Sequence, residues 1–223
     1  MNEVILILEI IIVFSMLLLT KKHFGKYGII GWVGVASIIA NIQVTKNINT
    51  LGLGVTVGNV LFASNYLATD ILIENYGKKY GKIAVHFGLF STILYLIFTQ
   101  ILLLYIPNEI DIMHESLKTV FGIAPRVCIA SIVTYYISNL ADVYIYDKLK
   151  TIFKSKKMWI RNNVSTIICN CIENFLFFTI AYLGMMDIKE IIVISITSSI
   201  IEIIIALCDT PFLYISRKIK DKV

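Results

Sequence analysis

The chain has 223 residues, of which 57% are hydrophobic and only 16% are charged, and its formal net charge is +5. Its mean hydropathy is +0.80. Soluble domains are about 45–50% apolar and about 25% charged, so this composition excludes an ordinary water-soluble enzyme, a disordered chain and a nucleic-acid-binding module. We therefore expect one integral membrane domain over residues 1–223, embedded in a lipid bilayer and without a nucleic-acid partner.

Hydropathy along the chain predicts up to seven membrane helices. A bilayer core requires about 20 mostly apolar residues per helix, with a range of about 17–25. Stretches of about this length are 4–20, 27–42, 51–73, 83–106, 120–146, 159–183 and 188–215. The first two are short, and the third contains several glycines and polar residues. The predicted fold class is an all-α, polytopic transmembrane bundle of six to seven helices.

The basic residues predict the orientation of these helices. Of the 20 lysines and arginines, 16 lie in the segments 21–26, 78–82, 148–161 and 217–222. With seven helices, all four segments fall on the same side of the membrane. Because positive residues concentrate in cytoplasmic loops, we expect the N-terminus outside and the C-terminus in the cytoplasm, in the inner cell membrane.

Ionisable residues inside the apolar stretches are the candidates for function. A charge at a helix centre costs about 2.5–3.5 kcal/mol on insertion scales, so such residues usually face a cavity or a partner. The candidates are Glu9, Asp70, Glu74, Arg126, Asp142, Glu173, Glu202 and Asp209. Since most are acids and few bases are available, ion pairing cannot satisfy them all.

Two of these acids follow an asparagine at a spacing that puts both on one helix face. The pairs are Asn139 with Asp142 and Asn170 with Glu173, each at i, i+3. A carboxylate beside a carboxamide matches the edge of a guanine-like base, which offers two adjacent N–H donors and a carbonyl acceptor. The same groups would also hold a primary amine or a metal cation, or they would bond across helices as structural contacts. Tyrosines and phenylalanines in the same two helices would supply stacking walls.

Signals for catalysis are weak. The three histidines are His23, His86 and His114, and the sequence has no HExxH, GxSxG or glycine-rich phosphate-loop motif. We therefore predict that the protein is not an enzyme, with no catalytic residues, no metal site and no cofactor.

Several blocks resemble the queuosine precursor transporter family of integral membrane proteins. The segment LATDILIENYGKKYGK at 67–82 resembles the family's ATD and E-YGKK motif. The later blocks follow in the family's order: SNLADVYIYDKLK at 138–150, WIRNNVST at 159–166, CNCIENFLFFTIAYLG at 169–184 and DTPFLY at 209–214. The resemblance covers about residues 55–215 and implies uptake of preQ0, preQ1 or queuine, which are precursors of the tRNA nucleoside queuosine.

The resemblance also implies a substrate-binding set, carried over position by position. It consists of Asp70, Glu74, Arg126, Asn139, Asp142, Asn170 and Glu173. Three positions depart from the family pattern. Asn139 is shorter than the usual Gln, Glu173 is longer than the usual Asp, and Glu202 stands where a Lys is frequent. If Glu202 lines the cavity, its charge favours a cationic ligand such as preQ1.

The leading hypothesis is an importer, or a substrate-binding membrane subunit, for a guanine-like base, in which Asp70 and Glu74 gate or couple transport at the cytoplasmic side. Coupling would use protons, or a separate scaffold with energy-coupling ATPases; the small-residue pair Ala36 and Ala40 would allow close helix docking on such a scaffold. A homo-oligomer is a further option. The alternatives are a structural or assembly membrane protein and a cation carrier that uses the buried carboxylates.

Overall fold

The computed structural model describes residues 1–50, 52–122, 125–154 and 156–222. Its first helix, α1, runs from Asn2 to Gln43, and a straight helix of 42 residues would be about 63 Å long. Gly25 interrupts it with φ 57° and ψ −146°, which is outside the helical region. The side chain of Asn2 donates to the carbonyl of Asn49 at 2.8 Å, so the chain folds back at Gly25. The two limbs match the predicted spans 4–20 and 27–42.

The next segment differs from its prediction. Strands β1 (Asn47–Thr50) and β2 (Leu53–Thr56) form an antiparallel hairpin, and helix α2 (Asn59–Tyr76) begins only after Gly58. Gly58 has φ 104°, a backbone conformation that glycine adopts without strain. The predicted span 51–73 is thus a hairpin followed by a helix of about 27 Å. Residue 51, where that span was predicted to begin, lies outside the described residues.

The remaining helices follow in chain order. They are α3 (Lys78–Leu104), α4 (His114–Phe121), α5 (Pro125–Ile152), α6 (Met158–Tyr182), α7 (Ile188–Leu207) and α8 (Thr210–Lys218). The predicted spans 83–106, 120–146 and 159–183 each coincide with one helix. The predicted span 188–215 is broken into α7 and α8 at Asp209, because Pro211 in the first turn of α8 cannot continue the hydrogen bonding of α7.

The bundle is a multi-pass membrane fold, as predicted. Five runs of described residues are long and apolar enough to cross a membrane: Asn2–Gln43, Lys78–Leu104, Arg126–Ile152, Met158–Tyr182 and Ile188–Lys218. Large apolar side chains cover their outer surfaces, whereas buried serine, threonine, asparagine and aspartate side chains occupy the interior. This distribution suits a protein whose solvent is lipid.

Helix α2 is the centre of the bundle. It contacts α1, α3, α5, α6, α7 and α8, and it is buried without interruption from Ala63 to Ile73. Because neighbouring helices shield it from lipid, α2 tolerates polar residues that a lipid-facing helix would not. Ala36 and Ala40 pack inside the protein against Leu61 of α2, so this small-residue pair serves internal packing.

The two ends of the bundle differ in charge. Contacts between the predicted basic segments bring them together: Lys26 donates to the hydroxyl of Tyr80 at 2.9 Å, Lys78 pairs with Asp147 at 2.9 Å, and Lys21 donates to the carbonyl of Ser216 at 2.9 Å. We call this the basic end, formed by residues 21–26, 76–82, 147–161 and 216–222. The opposite, hairpin end carries β1, β2 and α4.

Candidate functional site: a cavity in the hairpin half of the bundle

A cavity of about 500 Å³ lies between α1, α2, α3, α5, α6 and α7, in the half of the bundle nearer the hairpin. Sites for small molecules usually have volumes of about 300–1,000 Å³. Its aromatic lining consists of Phe62, Tyr66, Tyr135, Phe177, Phe178 and Tyr182. Its polar lining includes Asn41, Asn59, Ser131, Thr134, Asn170, Glu173, Asn174, Ser198 and Glu202. The cavity therefore offers flat apolar walls together with carboxylate and carboxamide groups.

Of the two predicted amide and acid pairs, the one on α6 lines this cavity. Asn170 and Glu173 both lie in its wall. The hydroxyl of Tyr66, on the central helix α2, donates a short hydrogen bond to Oε2 of Glu173. This bond engages one carboxylate oxygen and joins α6 to α2 at the cavity.

A second carboxylate, Glu202 on α7, also lines the cavity. Its Oε2 accepts a hydrogen bond from Nδ2 of Asn174 at 2.7 Å. Ile194, Ser198 and Glu202 are spaced at i, i+4 and i+8, so they present one line of side chains from α7 to the cavity. Glu202 is thus part of the site, although it stood outside the substrate-binding set that the resemblance implied.

The other pair, on α5, lies beneath the cavity and does not line it. Asp142 is fully buried, and Asn139 is almost so. Nδ2 of Asn139 donates to the carbonyl of Tyr135 at 3.0 Å. Within the described chain, Oδ1 of Asn139 and both oxygens of Asp142 accept no hydrogen bond. The hydroxyl of Thr69, which lies beside Asp142, donates instead to the carbonyl of Tyr66 at 2.9 Å.

Asp70 belongs to the same buried layer. It is fully buried, and neither of its oxygens accepts a hydrogen bond from any residue that the structure describes. Its charged neighbours are Asp142, Asp209, Arg161 and Glu74. Asp209, at the break between α7 and α8, is also fully buried and accepts from Nδ2 of Asn162 at 2.5 Å. Three aspartates from three parts of the fold therefore share one desolvated layer.

Glu74 lies below this layer, at the basic end, and is held by ion pairs. Its carboxylate lies 3.1 Å from Nη2 of Arg161, 3.5 Å from Nζ of Lys150 and 3.8 Å from Nε of Arg217. The hydroxyl of Tyr146 donates to it at 3.3 Å. Arg161 is fully buried, so its pairing with Glu74 closes the bundle at this end with a desolvated charge pair.

Arg126 lies at the hairpin end of α5, where it caps α6 and does not line the cavity. Its Nε donates to the carbonyl of Ile180 at 2.5 Å and its Nη2 donates to that of Leu183 at 2.7 Å. The carbonyl of Ile180 belongs to the last turn of α6 and that of Leu183 to the residue after it, where free carbonyl groups need donors. In this geometry Arg126 satisfies the end of α6 and lies outside the cavity lining, and its role in substrate binding stays a prediction.

Polar residues on α2 connect the three levels. Tyr66 at the cavity, Asp70 in the buried layer and Glu74 at the basic end follow at intervals of four residues, so they share one face over about 12 Å. Sequence reasoning missed Tyr66, although its spacing from Asp70 was a usable signal. It also missed Asn174, which follows Glu173 directly. Arg161 was counted in the basic segment 148–161, and the structure buries it fully beside Glu74.

Comparison with known proteins gives independent evidence for the family to which this chain belongs. Residues 56–216 match the protein family described as "Putative vitamin uptake transporter". The chain is 38% identical over 210 residues to the "Probable queuosine precursor transporter" of Bacillus subtilis (strain 168), covering 93% of this chain and 91% of the relative. It is 22% identical over 166 residues to the "Queuosine precursor transporter" of Escherichia coli (strain K12), covering 70% of each chain.

No solved structure matches this chain. The family match extends from the end of β2 into α8, so it includes the central helix α2 and the cavity-lining helices α3, α5, α6 and α7. The relatives are named as transporters, not enzymes, which agrees with the predicted absence of catalysis. The polar cavity, the membrane-spanning helices and these matches show that the chain is a multi-pass membrane transporter and belongs to the queuosine precursor transporter family.

Proposed function

We propose that this transporter imports a queuosine precursor, namely preQ0, preQ1 or queuine, across the cell membrane. The observation that carries the proposal is the cavity of about 500 Å³ with Asn170 and Glu173 in its wall. A guanine-like base presents two adjacent N–H donors and a carbonyl, which match the acceptors of Glu173 and the donor of Asn170. The aromatic lining would stack against the faces of the bicyclic ring.

The proposed orientation puts the N-terminus and the hairpin end outside and the basic end in the cytoplasm. The concentration of lysines and arginines at the basic end supports it. In this orientation the cavity receives the base from outside, while the pairing of Glu74 with Arg161 closes the cytoplasmic side. Passage of the base into the cytoplasm then requires the pair of Glu74 and Arg161 to separate, and Asp70 and Glu74 would lie along the path of the base.

Equilibrium binding to the purified protein tests the proposal. We expect preQ0, preQ1 or queuine to bind more tightly than adenine, because adenine lacks the adjacent N–H donors of a guanine edge. Glu173→Gln should weaken binding of the preferred precursor by about 10- to 100-fold, the usual effect of losing a hydrogen bond to a charged group.

A matched control is available on the first limb of α1. Glu9→Gln makes the same chemical change in a membrane helix, at a residue that lies outside the cavity lining and lines a smaller adjoining pocket with Asn2, Lys46 and Ile48. It should leave binding unchanged. Failure of all three precursors to bind would refute the proposal, and equal effects of the two substitutions would refute the assignment of Glu173.

Energy coupling is tested in liposomes. If the protein works alone, purified protein should accumulate a labelled precursor when only a pH gradient is imposed. Uptake that appears only after adding scaffold and ATPase subunits would instead identify the chain as a substrate-binding subunit.

A further inference from the structure

The cavity carries two carboxylates from different helices. Glu173 comes from α6 and Glu202 from α7, and they lie close enough for their charges to interact. Their hydrogen-bond donors are neutral: a tyrosine hydroxyl for Glu173 and an asparagine amide for Glu202. Neutral donors orient the carboxylates without compensating their charge.

No basic side chain in the described cavity lining balances the negative charge of these two carboxylates. Among the described residues that line the cavity there is no lysine, arginine or histidine. Arg126, the basic residue predicted for substrate binding, is committed to carbonyl groups at the end of α6. Two like charges in a poorly solvated space repel each other, and a cation placed between them relieves that repulsion.

The two carboxylates are not equivalent toward a bound base. Glu173 shares a helix face with Asn170, so this pair can contact the donor edge of a guanine-like ring. Glu202 stands on the neighbouring helix α7 and is held by Asn174, one helical turn beyond Asn170, so it can meet a different part of the ring, such as a substituent. A substituent that carries a protonated amine would form an ion pair with Glu202.

We propose that Glu202 is a specificity-determining residue that selects cationic precursors, those bearing a protonated amine, over neutral ones. The inference rests on the proposed function, since it assumes that a base occupies the cavity. Of the candidate cargoes, preQ1 carries a protonated aminomethyl group, whereas preQ0 has a neutral nitrile at the same position. The protein should therefore prefer preQ1 over preQ0.

Binding of these two probes to the purified protein tests the inference. The parent protein should bind preQ1 at least about tenfold more tightly than preQ0, the scale expected when a charged group gains a partially desolvated ion pair. Glu202→Gln keeps the side-chain shape and removes the charge. It should weaken preQ1 about tenfold, leave preQ0 unchanged and bring the two affinities together.

Ser198→Ala is the matched control, because Ser198 lies one turn away on the same face of α7 and carries no charge. It should preserve the preference for preQ1. Equal binding of preQ1 and preQ0 by the parent protein would overturn the inference whether or not the variants fold, and so would a preference that survives in Glu202→Gln. In both cases the proposed function would stand, whereas absence of binding by preQ0, preQ1 and queuine would remove the function and the inference together.

Discussion

The cavity half and the basic end of this transporter contain buried glutamates in contrasting surroundings. At the cavity, the hydroxyl of Tyr66 donates a hydrogen bond to Glu173, and no lysine, arginine or histidine is among the described residues of the lining. At the basic end, Glu74 lies within 4 Å of three cationic side chains. The first arrangement leaves the negative charge of Glu173 available to a ligand. In the second, ion pairs within the protein neutralise the charge of Glu74.

This contrast distinguishes carboxylates that are available to bind a ligand from carboxylates that stabilise the fold. A carboxylate held by neutral donors is tolerated inside a membrane protein when a ligand or water compensates it. A fully paired carboxylate contributes to helix contacts, and losing one partner leaves a buried charge without compensation. We therefore expect substitutions at the cavity to change binding more than stability, and substitutions at the basic end to do the reverse.

The largest expected effect compares one substitution at the two sites. Glu74→Gln leaves Arg161 buried without its anion, so it should lower the free energy of unfolding by about 3 kcal/mol. Glu173→Gln keeps an oxygen that can accept from the hydroxyl of Tyr66 and removes only the charge, so it should cost less than about 1 kcal/mol. Thermal unfolding in detergent measures both values.

Arg217→Met is the control for this comparison, because Arg217 pairs with the same Glu74 but is about half exposed. Its effect should stay below about 1 kcal/mol. Equal losses of stability for Glu74→Gln and Glu173→Gln would contradict the distinction between the two halves.

The second prediction concerns the shape of the cavity. A Cβ atom at Gly88 of α3 would lie 1.8 Å from the hydroxyl oxygen of Tyr135 and 2.9 Å from Cζ. Gly88→Ala should therefore displace Tyr135, reduce binding of the precursor, and cost about 2 kcal/mol through overpacking. Gly31→Ala is the matched control, since nothing lies within 4 Å of its Cβ position. Unchanged binding by Gly88→Ala would mean that Tyr135 does not shape the site.

The sequence predicts the bundle well because hydropathy and charge are local properties. The apolar stretches locate most helices, and the four basic segments come together as predicted. The hairpin of β1 and β2, which lies where the start of a membrane helix was predicted, and the break at Asp209 were missed. Both follow from backbone features, since Gly58 adopts a positive φ and Pro211 ends the hydrogen bonding of α7.

The site is only half predictable, because α5 and α6 run in opposite directions. On α5, Asp142 lies about 4.5 Å nearer the basic end than Asn139, and on α6, Glu173 lies about 4.5 Å nearer the hairpin end than Asn170. The same amide-and-acid order therefore directs one acid to the cavity and the other to the buried layer. Helical spacing shows which residues share a face, but it does not show their depth relative to another helix.

The third prediction tests how Glu173 is held. Tyr66→Phe removes the hydroxyl that donates to Glu173, so it should weaken precursor binding several-fold and lower the free energy of unfolding by about 1 kcal/mol. Tyr95→Phe is a suitable control, because the buried hydroxyl of Tyr95 has no hydrogen-bond partner among the described residues and lies outside the cavity lining. Binding isotherms of both variants make the comparison. Equal binding would show that Tyr66 does not position the carboxylate.

The smallest expected effect lies at the edge of the basic end, where the C-terminal segment is clamped to the bundle. Asp221 pairs with Lys21 at 3.4 Å and accepts from the hydroxyl of Tyr76 at 2.5 Å. Because Asp221 is partly exposed and the buried Lys21 keeps the carbonyls of Ser216 and Ile219 as acceptors, Asp221→Asn should cost only about 0.5 kcal/mol and leave precursor binding unchanged. It should nevertheless speed limited trypsin cleavage within residues 217–222. Asp147→Asn, which breaks the more exposed pair with Lys78, should not do so. Faster cleavage with weaker binding would instead mean that the clamp and the cavity are coupled, which would contradict the separation of the two halves.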